Sequence, residues 1–309
     1  MLGLIFRVNT LESRIILLRL KTVMKPMSKW NKFPHDNSAF MYEGSSLLDA
    51  WPDLHRGDCV EFPDADWVQQ CLDEAPDAAP DSFDGDFAAL ANTIQDAWRS
   101  YHSGDFQQAT ALASQCGHLA HAPANKAEGI YATYLEPNEA TARACFLAAV
   151  ERAEAAIEIL PDDPNSHYFH AFNLGRYSQS ISIVKALSQG IGGKIQTSLE
   201  NAIYLQPEHA DANIALGAYY AEVIDKVGKM LGKLTYGATP AKAVKHFERA
   251  LELSPNAPIA HIEYGNGLYL LFGDDRLDEV TDAYVKATEM EPIDAMAKLD
   301  IEAALAEME

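Results

Sequence analysis

Between residues 156 and 292 one six-residue phrase is written four times. It appears as Ala156-Ile-Glu-Ile-Leu-Pro161, Ala202-Ile-Tyr-Leu-Gln-Pro207, Ala250-Leu-Glu-Leu-Ser-Pro255 and Ala287-Thr-Glu-Met-Glu-Pro292. Proline lacks the backbone N–H and clashes with the preceding turn, so each phrase reads as the end of a helix and its stop. The prolines lie 46, 48 and 37 residues apart. Repetition at such a period means units that cannot bury their apolar faces alone and must stack. From Asp86 onward alanine dominates, apolar residues recur at helical spacing and no alternating run suggests a strand. The expected fold is an all-α solenoid.

The finer marks are those of the tetratricopeptide repeat (TPR), a pair of helices with a period of about 34 residues. Before Pro255, Ala243, Phe247 and Ala250 stand where a second TPR helix has small, aromatic and small residues. Before Pro292, Val280, Tyr284 and Ala287 do so. After Pro207, Leu216-Gly217-Ala-Tyr-Tyr220 matches the first-helix pattern, and Tyr264-Gly265 with Leu268, and Ala171 with Leu174, fill the same slots. Gly104-Asp-Phe106-Gln-Gln-Ala109 is an earlier partial unit. The small residues are needed where paired helices cross closely.

Periods of 46 and 48 exceed the TPR period by 12 and 14 residues. Each helix keeps its own register, so the surplus lies between the helices of a pair, in 176–193 and 222–240. Both stretches are punctuated by glycine and carry lysine: Lys185 and Lys194 in the first, Lys226, Lys229 and Lys233 in the second. The pair looks like one elaboration made twice. In these features, over about residues 145–295, the chain resembles bacterial TPR proteins with paired glycine- and lysine-rich insertions, and the TPR domain of the regulator-of-microtubule-dynamics proteins. That resemblance implies a non-enzymatic scaffold.

The charge is uneven. The chain holds 24 Lys and Arg against 45 Asp and Glu, a net −21. Such a balance excludes a nucleic-acid binder, which needs a basic face. No stretch approaches the roughly 18 uncharged apolar residues of a membrane span. Residues 1–34 are basic and read as a misplaced start before Met24 or Met27, or as a mitochondrial-type targeting segment. Residues 35–86 form an acidic, partly ordered lead-in rich in Asp, Pro and Gly, with short helices expected near 46–50 and 65–74. Leu47, Leu48, Trp51, Trp67, Val68 and Leu72 are its docking residues. The solenoid is expected over 87–309. The acidic lead-in complements the basic insert lysines 185, 194, 226, 229 and 233, in the same molecule or in a self-associated second copy.

No motif asks for a cofactor or a metal. Gly190-Ile-Gly-Gly-Lys194 lacks the first glycine of a phosphate loop, has Ile195 where Ser or Thr belongs, and follows no strand. His118 with His121, and His167 with His170, lie one helical turn apart, but a metal needs further ligands. Acids are too numerous to single out a general acid and base. Cys59, Cys71, Cys116 and Cys145 have no C-x-x-C spacing and read as free thiols in a reducing compartment, which places the chain in the cytoplasm. A genuine targeting segment over 1–26 would instead send it to a mitochondrion or the periplasm.

What remains is the concave face, where first helices line a groove. By register Tyr168, Phe172, Ile214, Ala218, Ile262, Asn266 and Tyr269 face it. Of these only Asn266 fits a clamp for a peptide carboxylate, so the groove is apolar. It is filled by a partner, by the insertions or by a terminal helix over 295–308. The leading expectation is a non-enzymatic scaffold binding a protein or peptide in this groove. The rival is a small-molecule binding component associated with a transporter.

Overall fold

The computed structural model describes residues 29–309. The start or targeting segment proposed over 1–26 lies outside them. Residues 32–309 form one compact unit, and among the described residues the regular structure is helical. The lead-in supplies α1 (Ser46–Leu54) and α2 (Ala65–Glu74). The solenoid begins with two pairs, α3 (Phe87–His102) with α4 (Phe106–Ala113), and α5 (His121–Tyr134) with α6 (Glu139–Ile159). Next come α7 (Pro164–Gln179), α8 (Ile183–Ser188) and α9 (Ile191–Leu205), then α10 (Ala210–Val227), α11 (Lys229–Tyr236) and α12 (Pro240–Leu253). A last pair, α13 (Pro258–Phe272) and α14 (Leu277–Thr288), precedes a single C-terminal helix, α15 (Ala295–Met308). The two insertions thus fall between paired helices, and each is a short helix: α8 in the first and α11 in the second.

The repeated phrase ends a helix each time, and the next few residues start another. Asp163 caps α7 by accepting from the N–H groups of Asn165 and Ser166, with Pro164 as the first helical residue. Pro240 opens α12 in the same way, after Thr239, which accepts from the Lys242 N–H; Pro258 opens α13 without a side-chain cap. An oxygen side chain before the first turn and proline inside it satisfy a helix start at little cost.

Partners in a pair cross where the small residues stand. A Cβ on Gly217 of α10 would lie 2.9 Å from the Phe247 ring of α12, and one on Gly265 of α13 would lie 3.0 Å from Tyr284 of α14. Phe247 is fully buried, as are Phe169, Leu199 and Leu268. The core is therefore a continuous seam of rings and aliphatic side chains seated against glycine and alanine.

The lead-in is integrated into this body. Leu47, Trp51, Val68 and Leu72 are buried, whereas Leu48 is exposed and Trp67 half-buried. Trp51 meets Trp98 of α3 edge-on at 5.9 Å and donates from Nε1 to the Val60 carbonyl at 2.8 Å. The loop between α1 and α2 enters the solenoid itself. The Gly57 carbonyl accepts from the Asp211 N–H (3.0 Å), and the Asp58 carbonyl accepts from Asn165 Nδ2 (2.9 Å). Among the described residues no ion pair joins the lead-in to the insert lysines; the lead-in is held instead by the first turns of α7 and α10. Its partner cation is Lys126 of α5, on Asp58 at 2.6 Å.

Candidate functional site

A cavity of about 280 Å³ lies on the concave side. First helices provide its back wall: Ile130 and Tyr134 from α5, Tyr168 and Phe172 from α7, Ile214 and Ala218 from α10, Ile259 and Glu263 from α13. The insertions provide its side walls, through Ile183 and Leu187 of α8, Ile191 and Ile195 of α9, and Tyr236 of α11. The terminal helix α15 closes one end with Met296 and Asp300. It is held there by two phenols, Tyr101 donating to Met296 Sδ at 3.0 Å and Tyr134 donating to Asp300 Oδ1.

Of the residues read as groove-facing, Tyr168, Phe172, Ile214 and Ala218 lie on this cavity. Ile262, Asn266 and Tyr269 do not. Ile262 packs with Tyr284 and Ala304, Asn266 Oδ1 accepts from the Tyr284 hydroxyl at 2.5 Å, and Tyr269 is exposed. The cause is α15, which packs against α13 and α14. It leaves only the first turns of α13 facing inward. Lys226 lies on the rim, paired with Glu222 at 2.7 Å. Lys185 approaches the Tyr177 ring at 5.8 Å. Around them the insertions expose Val184, Met230, Leu231 and Leu234.

Of the two histidine pairs, His121, His167 and His170 are buried hydrogen-bonding residues, and His118 is half-exposed. His121 Nε2 contacts Asp163 at 2.6 Å, His167 Nε2 the Pro161 carbonyl at 2.9 Å, and His170 Nδ1 the Ser198 hydroxyl at 2.8 Å. Gly190 adopts a left-handed φ of +65° at the start of α9, a helix-to-helix turn. Burial raises the thiols of Cys59, Cys71 and Cys116 to about 11 and that of Cys145 to about 12, so none is a ready nucleophile.

Sequence reading missed the charged groups beneath the cavity. Asp58, fully enclosed, holds Lys126 Nζ on one oxygen and His55 Nδ1 (2.8 Å) on the other. His55 Nε2 faces His102 Nε2 at 3.3 Å, and His102 Nδ1 meets Asp294 at 3.0 Å. Asp294 in turn caps α15 by accepting from the Ala297 N–H at 2.8 Å. Burial opposes ionisation of Asp58, but Lys126 and His55 hold it well below the usual carboxylate range. Burial lowers His55 to about 4 despite Asp58. Three acids on the cavity behave otherwise. Burial pushes Asp211 up to about 6 and Asp300 to about 7, and raises Glu263 as well. A sequence signal existed only for Asp211, an acid inside the run Ala210-Asp-Ala-Asn213 on a helix face expected to be apolar.

Comparison with known proteins agrees with this architecture. The family described as Regulator of microtubule dynamics protein 1-3 matches residues 110–269. Among solved structures the chain is similar to a thermophilic TPR protein of Thermus thermophilus, at 19% identity and TM-score 0.50, over 70% of this chain and 99% of that one. It is also similar to MamA of MSR-1 (11% identity, TM-score 0.38, 64% of this chain and 98% of that one). A third similarity is to an IFIT1 monomeric mutant with Gppp-AAAA (14% identity, TM-score 0.33, 96% of this chain and 82% of that one). A sequence search of curated proteins finds no match. The likeness to the thermophilic protein shows the fold, an all-α TPR-type solenoid.

Proposed function

Because the chain belongs to the Regulator of microtubule dynamics protein 1-3 family, we propose that it is a non-enzymatic TPR-type scaffold whose concave face works as a partly enclosed binding cavity for an apolar ligand. The observation that carries this is the walling of that face by the insertions and the terminal helix. An extended peptide needs a groove open along its length, whereas here α8, α9 and α11 wall the sides and α15 blocks an end. The remaining space, about 280 Å³, sits at the small end of ligand pockets and is mostly apolar. Among the described residues no group of His, Cys, Asp and Glu could hold a metal, and the buried thiols are raised away from reactivity. Four free cysteines suit a reducing compartment. Among the described residues no helix is long and apolar enough to cross a membrane.

The test is to fill the cavity. Ala218→Trp places an indole where the back wall meets the open volume. A neutral apolar fluorophore such as Nile red should bind the parent chain saturably at one site and the variant weakly, with the variant still folded by circular dichroism. Unsaturable binding, or binding indifferent to the substitution, overturns the reading.

A second reading rests on a different surface. The insertions expose Val184, Met230 and Leu234 beside Lys185, Lys229 and Lys233, which suits a protein partner with an acidic face. Changing Lys229 and Lys233 to Glu should abolish capture of such a partner and leave Nile red binding intact. Capture that survives the charge reversal removes this reading.

A further inference from the structure

Charge on the cavity wall does not balance. Four carboxyl groups line it, Asp211, Glu222, Glu263 and Asp300, against two cations, Arg176 and Lys226. Lys226 is on Glu222 at 2.7 Å, and Arg176 approaches Glu263 at 3.9 Å. That leaves Asp211 and Asp300. Asp300 is 2% exposed and receives the Tyr134 hydroxyl. Asp211 is 9% exposed; among the described residues no donor is found on its carboxyl group, whose oxygens are not fully sealed from solvent. Its backbone N–H is taken by Gly57, and Gly57 has no side chain because a Cβ there would lie 2.3 Å from Asp211 Oδ1. The nearby ammonium, Lys126, is already bound to Asp58 at 2.6 Å.

A buried carboxyl without a donor costs free energy that an incoming donor recovers. We propose that the cavity takes a ligand with a protonated amine on an apolar body, the ammonium on the acidic wall that carries Asp211 and Asp300 and the body against Phe172, Ile195, Leu199 and Ile214. This deepens the reading of the cavity as a ligand site and rests on it. A carboxylate ligand would add a third negative charge to the two already unbalanced. A neutral ligand could at most donate an O–H or N–H to Asp211 and would leave its negative charge uncompensated. The Tyr168 ring, on the same wall, offers a face that attracts cations.

Binding of an ammonium is coupled to protons. Asp211 faces Lys126, Asp58 and Asp294; Asp300 faces Tyr134, Asp294, Arg176 and Glu263. With Asp211 raised to about 6 and Asp300 to about 7, acidification neutralises the two groups that attract the ligand. Affinity for an amine therefore falls between about pH 8 and pH 5, while affinity for a neutral ligand does not follow that course.

The experiment compares three probes with one tail, octylamine, octanol and octanoate, by isothermal titration calorimetry on the full chain. Expected is octylamine tighter than octanol by about tenfold or more, the worth of one charged hydrogen bond, with octanoate weakest. Asp211→Asn and Asp300→Asn should each shrink the preference for octylamine over octanol. The ranking on the unaltered chain needs no variant to fold. Equal binding of all three, or octanoate binding as tightly as octylamine, overturns the amine assignment and leaves the apolar cavity standing. Binding of none overturns both.

Discussion

Enclosing a carboxylate requires opposite charge at contact distance, and Asp58 has it in Lys126 Nζ, while His55 Nδ1, lowered to about 4 by burial, meets its other oxygen as a neutral hydrogen-bonding group. Removing one member of a buried pair leaves the other uncompensated, at about 3–5 kcal/mol. Lys126→Met and Asp58→Asn should each destabilise by that order. The double variant should cost clearly less than the sum, because the second change removes the charge stranded by the first. Urea unfolding of the four chains measures this, and simple additivity would show the two residues uncoupled. Asp300 makes the opposite case. Its folded carboxyl binds a proton near 7 and the ordinary value is 3.8. The folded state thus holds more protons in that window, and this group's contribution to stability is lost as pH rises through it. Asp300→Asn keeps an acceptor for Tyr134 and removes the loss. Relative to the parent it should gain about 1–4 kcal/mol on going from pH 4 to pH 8. His55 and His209, both lowered to about 4 by burial, pull the other way, since their stabilisation is lost as pH falls from 6.5. Melting curves of parent and variant across pH separate the two contributions. A variant whose advantage does not grow with pH would show that folding does not raise the Asp300 carboxyl above its ordinary value.

Paired helices approach one another where glycine stands. At Gly217 a methyl group would press on a fully buried ring, and Phe247 has no room to retreat. Gly217→Ala should cost about 1–3 kcal/mol by overpacking. Gly193, in the second helix of its pair and exposed, has nothing within 4 Å of a built Cβ. Gly193→Ala should stabilise by up to about 1 kcal/mol through helix propensity. Thermal melts of the two variants should move in opposite directions; a shared direction would mean the helix crossing is not where the repeats put it. This part of the fold was legible because each repeat carries its own marks. The phrases ending at Pro161, Pro207 and Pro255 stop α6, α9 and α12 within two residues. The insertions were placed correctly between paired helices, by counting alone. Their own helices were not foreseen, since a six-residue run such as Ile183–Ser188 has too few turns to show a period. On α13 the cavity is lined by Ile259 and Glu263 and not by Ile262, Asn266 or Tyr269, since a repeat motif describes contacts with its neighbours in the stack. It carries no information about a terminal helix returning across them.

At the scale of the molecule the same limit governs charge. The lead-in is acidic and the insertions basic, and composition alone suggests that they meet. Instead one aspartate of the lead-in finds one lysine 68 positions away in α5, and among 45 acids nothing in the text distinguishes it. The cavity acids were invisible for the same reason. Asp211, Glu263 and Asp300 come from three helices separated by up to 89 positions, and only folding puts them on one cavity. The run from Lys126 through Asp58, His55 and His102 to Asp294 has a consequence for how the chain opens. A stack of repeats, each touching only its neighbours, ordinarily frays from its ends inward. Here α3, from the first helical pair, and α15, the final helix, are bound through one polar thread, so neither end can loosen without exposing buried charge at the other. Native-state hydrogen exchange should therefore find the amides of α3 and α15 nearly as slow as those of α10, and His102→Ala should quicken α15 although the two lie almost two hundred positions apart.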